Sequence, residues 1–150
     1  GASAVPFGRL AMGIGDAYVC CWIVKYEHNL LRPVTYIKKY IDPTWNTILN
    51  TPPFPAYTSG HSSSSGAGFG MLGKLFGANY AFVDKSHLLK FEQGDPTFAP
   101  RAFNSFSDAA SEAALSRLYG GIHYEFDNLE GLKAGTAIAD RNYSKIITKK

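Results

Sequence analysis

The chain has 150 residues, a formal net charge of +3, 45% hydrophobic residues and 18% charged residues. This composition excludes a disordered or fibrous protein, and the length is that of one domain with a core of its own. Basic residues do not cluster into a patch that could follow a nucleic-acid backbone, so we expect no nucleic-acid partner.

The first predicted element is a helix over residues 4–27, where apolar residues recur at helical spacing. Arg9 and Asp16 interrupt this segment, and each would cost about 3 kcal/mol at the centre of a bilayer. We therefore predict a buried or amphipathic helix and no membrane span. Cys20 and Cys21 are neighbours on this helix and point in different directions, so we expect core thiols and no disulfide between them.

Further helices follow, and proline or irregular sequence separates each from the next. Pro33 ends the first helix, because proline lacks the amide hydrogen that a continuing helix needs. Residues 42–57 are predicted as a proline-rich loop, and residues 77–100 as irregular structure with a turn at 94–96. Helical spacing predicts the remaining helices over residues 34–40, 59–76, 104–121 and 126–147.

The predicted fold is therefore all-α, a helical bundle in a single domain over residues 1–150. The stretch GFGMLG, residues 68–73, matches the glycine pattern of dinucleotide-binding loops, but no predicted strand precedes it, as that motif requires. We interpret the glycines instead as a flat helix face against which another helix packs. This face consists of Gly66, Gly70 and Gly73.

The stretch TPPFPAYTSGH, residues 51–61, predicts an anion site. Its prolines stiffen the loop, and Thr58 or Ser59 can cap the helix that follows. The amide groups of Gly60 and His61 then point out of the positive end of that helix, where anions bind. Gly60 has no side chain, so an anion can approach the backbone closely.

Two further stretches supply charged groups. KYEHNLLRP places Lys25 and Arg32 seven residues apart. SRLYGGIHYEFD carries Arg117, His123 and Asp127. Arg117 falls on the apolar face of its helix, so its guanidinium group needs an anionic partner. Asp127 can hold the His123 ring and select its tautomer.

These three segments together resemble the superfamily of type 2 phosphatidic acid phosphatases and vanadium-dependent haloperoxidases. The signature of that superfamily is K-x6-RP, then PSGH, then SR-x5-H-x3-D. In the same order, over residues 25–127, this chain has Lys25-x6-Arg32-Pro33, Thr58-Ser59-Gly60-His61 and Ser116-Arg117-x5-His123-x3-Asp127. Thr58 stands where the family has proline, which changes the stiffness of the loop but no anion ligand.

The resemblance implies the fold of the C-terminal, site-bearing half of such an enzyme. By that resemblance, the residues that bind the oxyanion, phosphate or vanadate, are Lys25, Arg32, Ser59, Gly60 and Arg117. His123 is the phosphate nucleophile or the axial ligand of vanadium, with Asp127 behind it, and His61 is the general acid or base. The sequence PPFPAY is similar to the haloperoxidase branch, in which the position of Phe54 lies on the halide side.

The resemblance leaves three functions open. The first is a vanadium-dependent haloperoxidase that oxidises halide with hydrogen peroxide and has vanadate as its cofactor. The second is a soluble acid phosphatase that hydrolyses phosphomonoesters through a phosphohistidine and needs no cofactor. The third is a non-catalytic domain that only holds phosphate or serves assembly.

Soluble members of the superfamily are usually longer, with helices before the Lys motif, and here only about 24 residues precede Lys25. We therefore expect either a fragment that lacks upstream helices or a homodimer in which a second copy covers the exposed face of the bundle. The substrate is expected to be a small molecule. The soluble branch is often exported in bacteria, which leaves a periplasmic or secreted location open.

Overall fold

The computed structural model describes residues 4–146, and helices dominate it. The helices are α1 (Ala4–His28), α2 (Pro33–Tyr40), α3 (Gly60–Phe76), α4 (Leu88–Glu92), α5 (Phe106–Tyr119) and α6 (Glu125–Lys145). The strands are β1 (Phe82–Asp84) and β2 (Arg101–Phe103), and a 3₁₀ turn spans Pro96–Phe98. The prediction of a helical bundle is confirmed. The predicted end of the last helix, residue 147, lies outside the described residues.

Helix α3 lies at the centre of the bundle and packs against α1, α5 and α6. Small residues make this packing close. A Cβ atom added at Gly66 would lie 2.5 Å from the carbonyl oxygen of Leu132. One added at Gly70 would lie 3.2 Å from the Cβ atom of Ala139. The predicted glycine face is confirmed at these two positions and is wrong at Gly73, where an added Cβ would meet no described atom within 4 Å.

The segment between α3 and α5 is more regular than the predicted irregular structure over residues 77–100. Strands β1 and β2 pair in antiparallel fashion, with Phe82 opposite Phe103. The centroids of these two rings lie 5.4 Å apart, and the Phe82 ring also packs 5.2 Å from the ring of Phe106 on α5. Strands of three residues are too short to show an alternating pattern, so the sequence prediction missed them.

Helix α5 is shorter at both ends than its predicted range of 104–121, and local hydrogen bonds explain the difference. Ser105 caps the helix by accepting a hydrogen bond of 3.0 Å from the amide of Asp108, which places the start at Phe106. At the other end, Gly121 has a φ of +75°. This left-handed conformation cannot continue an α-helix, and the chain turns there toward His123.

Helix α1 exposes large apolar side chains, including Val19 at 63% and Ile23 at 56%. Among the described residues, the segment Ala4–Tyr40 is long and apolar enough to cross a membrane, with a mean hydropathy of 1.3. That result rests on length and composition alone, and the core helix of a soluble protein passes the same test. The expectation of no membrane span, made from Arg9 and Asp16, stays a prediction, as does the homodimer.

Candidate active site

A cavity of about 130 Å³ lies where the C-terminal end of α1 meets the N-terminal ends of α3 and α6. The predicted site residues that line it are Lys25, Arg32, Phe54, Gly60, His61 and His123. The other three predicted residues touch this group. Asp127 and Arg117 each contact one of the two histidines, and the Ser59 amide donates to the Asp127 carbonyl oxygen at 2.9 Å. Folding therefore brings all the predicted site residues to one end of the bundle.

Lys25 is held by the proline-rich loop. Its side chain is buried, and its Nζ atom donates to the carbonyl oxygens of Pro55 and Ala56, at 2.9 Å each. Burial lowers the pKa of Lys25 to about 8, and the neighbouring Arg32 guanidinium acts in the same direction. An anion in the cavity would stabilise the ammonium form, because it adds an opposite charge at short range.

Arg32 lines the cavity, and its side chain contacts three residues. Its Nε donates to the carbonyl oxygen of Phe54 at 2.8 Å, and its Nη1 donates to that of Ile122 at 2.6 Å. The same Nη1 lies 3.1 Å from Nε2 of His123. Its Nη2 is buried and has no hydrogen-bond partner among the described residues. A buried donor without an acceptor is costly, so this atom points to a ligand that supplies one.

His123 and Asp127 form a buried pair at the start of α6. Nδ1 of His123 lies 2.8 Å from Oδ2 of Asp127, which sits in the first turn, where the positive helix end stabilises a carboxylate. The carboxylate accepts the Nδ1 proton, so Nε2 keeps its lone pair. Burial lowers the pKa of His123, opposed by Asp127 and assisted by Arg32 and Lys25. The imidazole is therefore neutral near pH 7.

Ser59 builds the helix end beside this pair. It is fully buried, and its Oγ accepts a hydrogen bond of 3.3 Å from the amide of Ser62, so the helix cap is Ser59 and not Thr58. The amide of Gly60 lies in the first turn, where no helical carbonyl can accept from it. A Cβ atom added at Gly60 would meet no described atom within 4 Å, which leaves room for an anion at the positive helix end.

His61 and Arg117 form the more exposed side of the cavity. Nη1 of Arg117 lies 3.2 Å from Nε2 of His61, so the guanidinium group donates to the imidazole lone pair. Partial burial lowers the pKa of His61, and the charges of Arg117 and His123 lower it further. Both histidines of the site are consequently neutral near pH 7, and each is in contact with one arginine.

An aromatic wall closes the cavity on the side of α1. The ring centroid of Phe54 lies 4.8 Å from that of Trp22, 5.4 Å from Nζ of Lys25 and 5.1 Å from Cζ of Arg32. Trp22 and Tyr18 also line the cavity, and the sequence prediction missed both. They precede Lys25 by three and seven residues, so helical spacing on α1 was the signal that could have found them.

The arrangement suits a small oxyanion. Two buried cations, a third on α5 and a free helix end surround the cavity, and no carboxylate side chain in residues 4–146 lines it. Such donors stabilise the negative charge of a tetrahedral anion and of the five-coordinate state that it passes through during reaction. Larger and mostly apolar cavities, of about 300 and 360 Å³, lie between the helices, and in the part of the chain that the structure describes they have no comparable set of charged groups.

Residues 38–149 match the family model described as the VCPO second helical-bundle domain. The match includes His61, Arg117, His123 and Asp127, whereas Lys25 precedes it. Among curated proteins, the chain is similar to the vanadium chloroperoxidase of Curvularia inaequalis. The two are 26% identical over 166 aligned residues, which cover 81% of this chain and 27% of that protein.

Solved structures are similar over almost the whole chain. The crystal structure of a bacterial vanadium-dependent iodoperoxidase aligns with a TM-score of 0.86 and 40% sequence identity, over 95% of this chain and 33% of that one. A bacterial vanadium-dependent chloroperoxidase aligns with a TM-score of 0.73 and 16% identity, over 91% of this chain and 34% of that one, which is a likeness of fold alone. The chain thus spans about a third or less of the length of these relatives.

Proposed function

Because this chain belongs to the family of VCPO second helical-bundle domains, we propose that it carries the vanadate site of a haloperoxidase that oxidises halide with hydrogen peroxide. One observation carries the proposal. Nη2 of Arg32 is a buried donor without an acceptor, beside a cavity that Lys25, His61 and His123 also line. An oxyanion in that cavity would supply the missing acceptor.

The residues at the cavity fit vanadate by the chemistry of their donors. Lys25, Arg32 and Arg117 would neutralise its oxygens, and the Gly60 amide and the Ser59 hydroxyl would add hydrogen bonds. Ser59 can do so because its Oγ accepts from the helix amide and keeps its own proton to donate. Among the described residues no carboxylate side chain lines the cavity, so the anion would meet cations and hydrogen-bond donors at its surface.

His123 would hold the vanadate through Nε2. Asp127 holds Nδ1 at 2.8 Å, which fixes the tautomer and leaves the lone pair on Nε2. Nη1 of Arg32 lies 3.1 Å from this nitrogen, so an oxyanion would compete with the imidazole for the guanidinium group. The lowered pKa of His123 keeps that lone pair free of a proton near pH 7. Vanadate, when bound, supplies a Lewis-acidic centre at which hydrogen peroxide oxidises a halide.

His61 would be the general acid or base on the opposite side of the cavity. Its lowered pKa makes it neutral near pH 7, so Nε2 can take a proton from an incoming peroxide. Arg117 donates to this nitrogen at 3.2 Å, and an oxyanion would compete for the same guanidinium group. Anion binding would therefore draw Arg117 away from His61 and free the Nε2 lone pair of that histidine.

Phe54 would form the apolar wall on the halide side. Its ring packs against Trp22 and lies within 5.4 Å of two cationic side chains, those of Lys25 and Arg32. A weakly hydrated anion such as iodide or bromide loses little solvation against an aromatic wall, and the nearby cations favour its charge.

A phosphatase is the second candidate, and one observation favours it. The neutral His123 with a carboxylate behind it is also the arrangement of an imidazole nucleophile, and the same three cations would bind a phosphate ester. The cavity ligands therefore suit both reactions. The names of the similar proteins favour the haloperoxidase.

Two assays on the purified protein separate these functions. Bromination of phenol red or oxidation of iodide that requires both vanadate and peroxide supports the haloperoxidase. Release of phosphate from p-nitrophenyl phosphate, inhibited by vanadate, supports the phosphatase. Binding of either oxyanion in calorimetry without turnover supports a non-catalytic domain. Absence of binding by wild-type protein overturns the oxyanion site itself.

A further inference from the structure

The two imidazoles of the site stand on different helices, so helix packing sets the distance between them. His61 lies in the first turn of α3, and His123 lies just before α6. Residues 77–124, which include β1, β2 and α5, connect these helices, and so long a stretch of chain does not fix their spacing locally. Whatever fixes α3 against α6 at their N-terminal ends therefore also fixes the site.

Backbone contact sets the distance between α3 and α6. A Cβ atom added at Gly131 would lie 2.8 Å from the carbonyl oxygen of Ser59, and one at Gly135 would lie 2.7 Å from the amide nitrogen of Ala67. The two helices therefore touch nearly backbone to backbone. Such smooth surfaces set the separation of the helices but offer few protruding side chains that would stop one from sliding along the other.

Two buried hydrogen bonds between α3 and α6 oppose such sliding. Ser62 Oγ donates to Asn128 Oδ1 at 3.1 Å, and the Ser59 amide donates to the Asp127 carbonyl oxygen at 2.9 Å. Ser62 directly follows His61, and Asn128 directly follows Asp127. The side-chain bond survives a flip of the Asn128 amide group, because a serine hydroxyl can donate or accept.

The contact leaves one polar group of Asn128 buried without a hydrogen bond in the described part of the chain. This residue is 4% exposed, and its Nδ2 has no hydrogen-bond partner among the described residues. An apolar residue at this position would avoid the cost of burying an amide. A buried asparagine that costs stability and selects one register is known from helix pairs, where it excludes alternative alignments.

We propose that Asn128 is a positioning residue, which acts through Ser62 to set the register of α3 on α6 and hence the placement of His61 across the cavity from His123. The inference rests on the proposed function only where it concerns anion binding, because the placement of the rings is a property of the protein alone. Neither Asn128 nor Ser62 lines the cavity.

The test compares two buried asparagines on α6. Asn128→Ala and Ser62→Ala each remove the proposed contact, and Asn142→Ala is the matched control. Asn142 is 9% exposed and donates to Asp16 Oδ2 at 2.9 Å, at the end of the helix that is remote from the site. Three measurements are made on each variant: the thermal midpoint, the side-chain NMR resonances of His61 and His123, and the affinity for inorganic phosphate and orthovanadate.

Each substitution leaves the remaining partner of a hydrogen bond unsatisfied, so we expect all three variants to lower the thermal midpoint. Only Asn128→Ala and Ser62→Ala should shift the histidine ring resonances and weaken anion binding, by about tenfold. The double variant should weaken binding no more than either single one, since both remove the same bond. Ring resonances and affinities that match those of Asn142→Ala would overturn the proposal.

The readouts also separate this inference from the proposed function. If wild-type protein binds neither anion, the proposed function fails, and the ring resonances still decide whether the pair positions the site. If Asn128→Ala does not fold, Ser62→Ala decides, because it removes a single hydroxyl from the same contact.

Discussion

The two halves of the candidate site differ in how firmly the protein holds them. The inner half is buried and consists of Lys25, Arg32, His123 and Asp127. Loop carbonyls and the Asp127 carboxylate fix its cations and its imidazole at distances of 2.6–2.9 Å. The outer half consists of His61 and Arg117, which lie closer to solvent and meet in one contact of 3.2 Å.

The difference indicates that the inner half provides a preformed binding site and that the outer half adjusts to the ligand. Burying the charges of the inner half is costly, and the carbonyl and carboxylate partners offset that cost before any ligand arrives. The inner half is therefore preorganised for an anion. Arg117 and His61 have fewer partners and can move when the anion binds. Equal substitutions should cost more in the inner half than in the outer half, and the following predictions test this in order of expected effect.

The largest contrast is expected from removing each imidazole. His123→Ala should lower turnover by about 10⁴-fold or more, because in the proposed function it deletes the group that bonds to the reacting centre. His61→Ala should lower turnover by about 10²-fold, as expected for loss of a general acid or base. Steady-state assays with vanadate and peroxide, or with p-nitrophenyl phosphate, measure both. His87→Ala, an exposed histidine outside the site, is the control. Turnover retained in His123→Ala would remove the mechanism.

Replacing each arginine by lysine sharpens the comparison without removing charge. Arg32→Lys should weaken vanadate binding by about 100-fold, since lysine cannot bond to the Phe54 and Ile122 carbonyls and still face the cavity. Arg117→Lys should weaken it by about fivefold, because a more exposed contact contributes less. Calorimetric titration with orthovanadate compares the two. Equal losses would show that the halves do not differ in preorganisation.

Anion affinity should fall in alkaline solution through Lys25. Its pKa is about 8, so raising the pH through 8 removes the positive charge, whereas the bound anion favours the charged form. The affinity should therefore be almost fully retained at pH 7 and decrease by about tenfold between pH 7 and pH 9. Titrations with phosphate across this range measure the loss. Lys25→Arg, which stays charged, corrects for the titration of phosphate itself and should remove this part of the decrease.

The smallest effect is expected at the aromatic wall. Phe54→Leu should weaken oxyanion binding by about threefold, because it removes the ring that lies near the Lys25 and Arg32 cations but keeps an apolar side chain. Phe76→Leu, an exposed phenylalanine at the end of α3, is the matched control. If Phe54→Leu lowers the rate of halide oxidation far more than the oxyanion affinity, the ring serves to bind the halide and contributes little through its contacts with the two cations.

Much of the site could be predicted because its parts are local. His123 and Asp127 are four residues apart, so the turn into α6 brings them together almost regardless of the rest of the fold. The Ser59 cap and the free amide of Gly60 likewise depend only on where α3 begins. The strands β1 and β2 could not be predicted in this way, because three-residue strands are defined by their partner and by ring contacts with α5.

The sequence by itself determined the all-α class, the order of the motifs and the local pairs, since these follow from helical spacing and from short-range hydrogen bonds. Only the tertiary structure decided that Lys25 is buried against the carbonyls of Pro55 and Ala56, and that Arg32 reaches His123. It also decided the lowered pKa of Lys25. The physical reason is that burial and charge proximity are properties of distant segments in contact, and sequence spacing carries no measure of that contact.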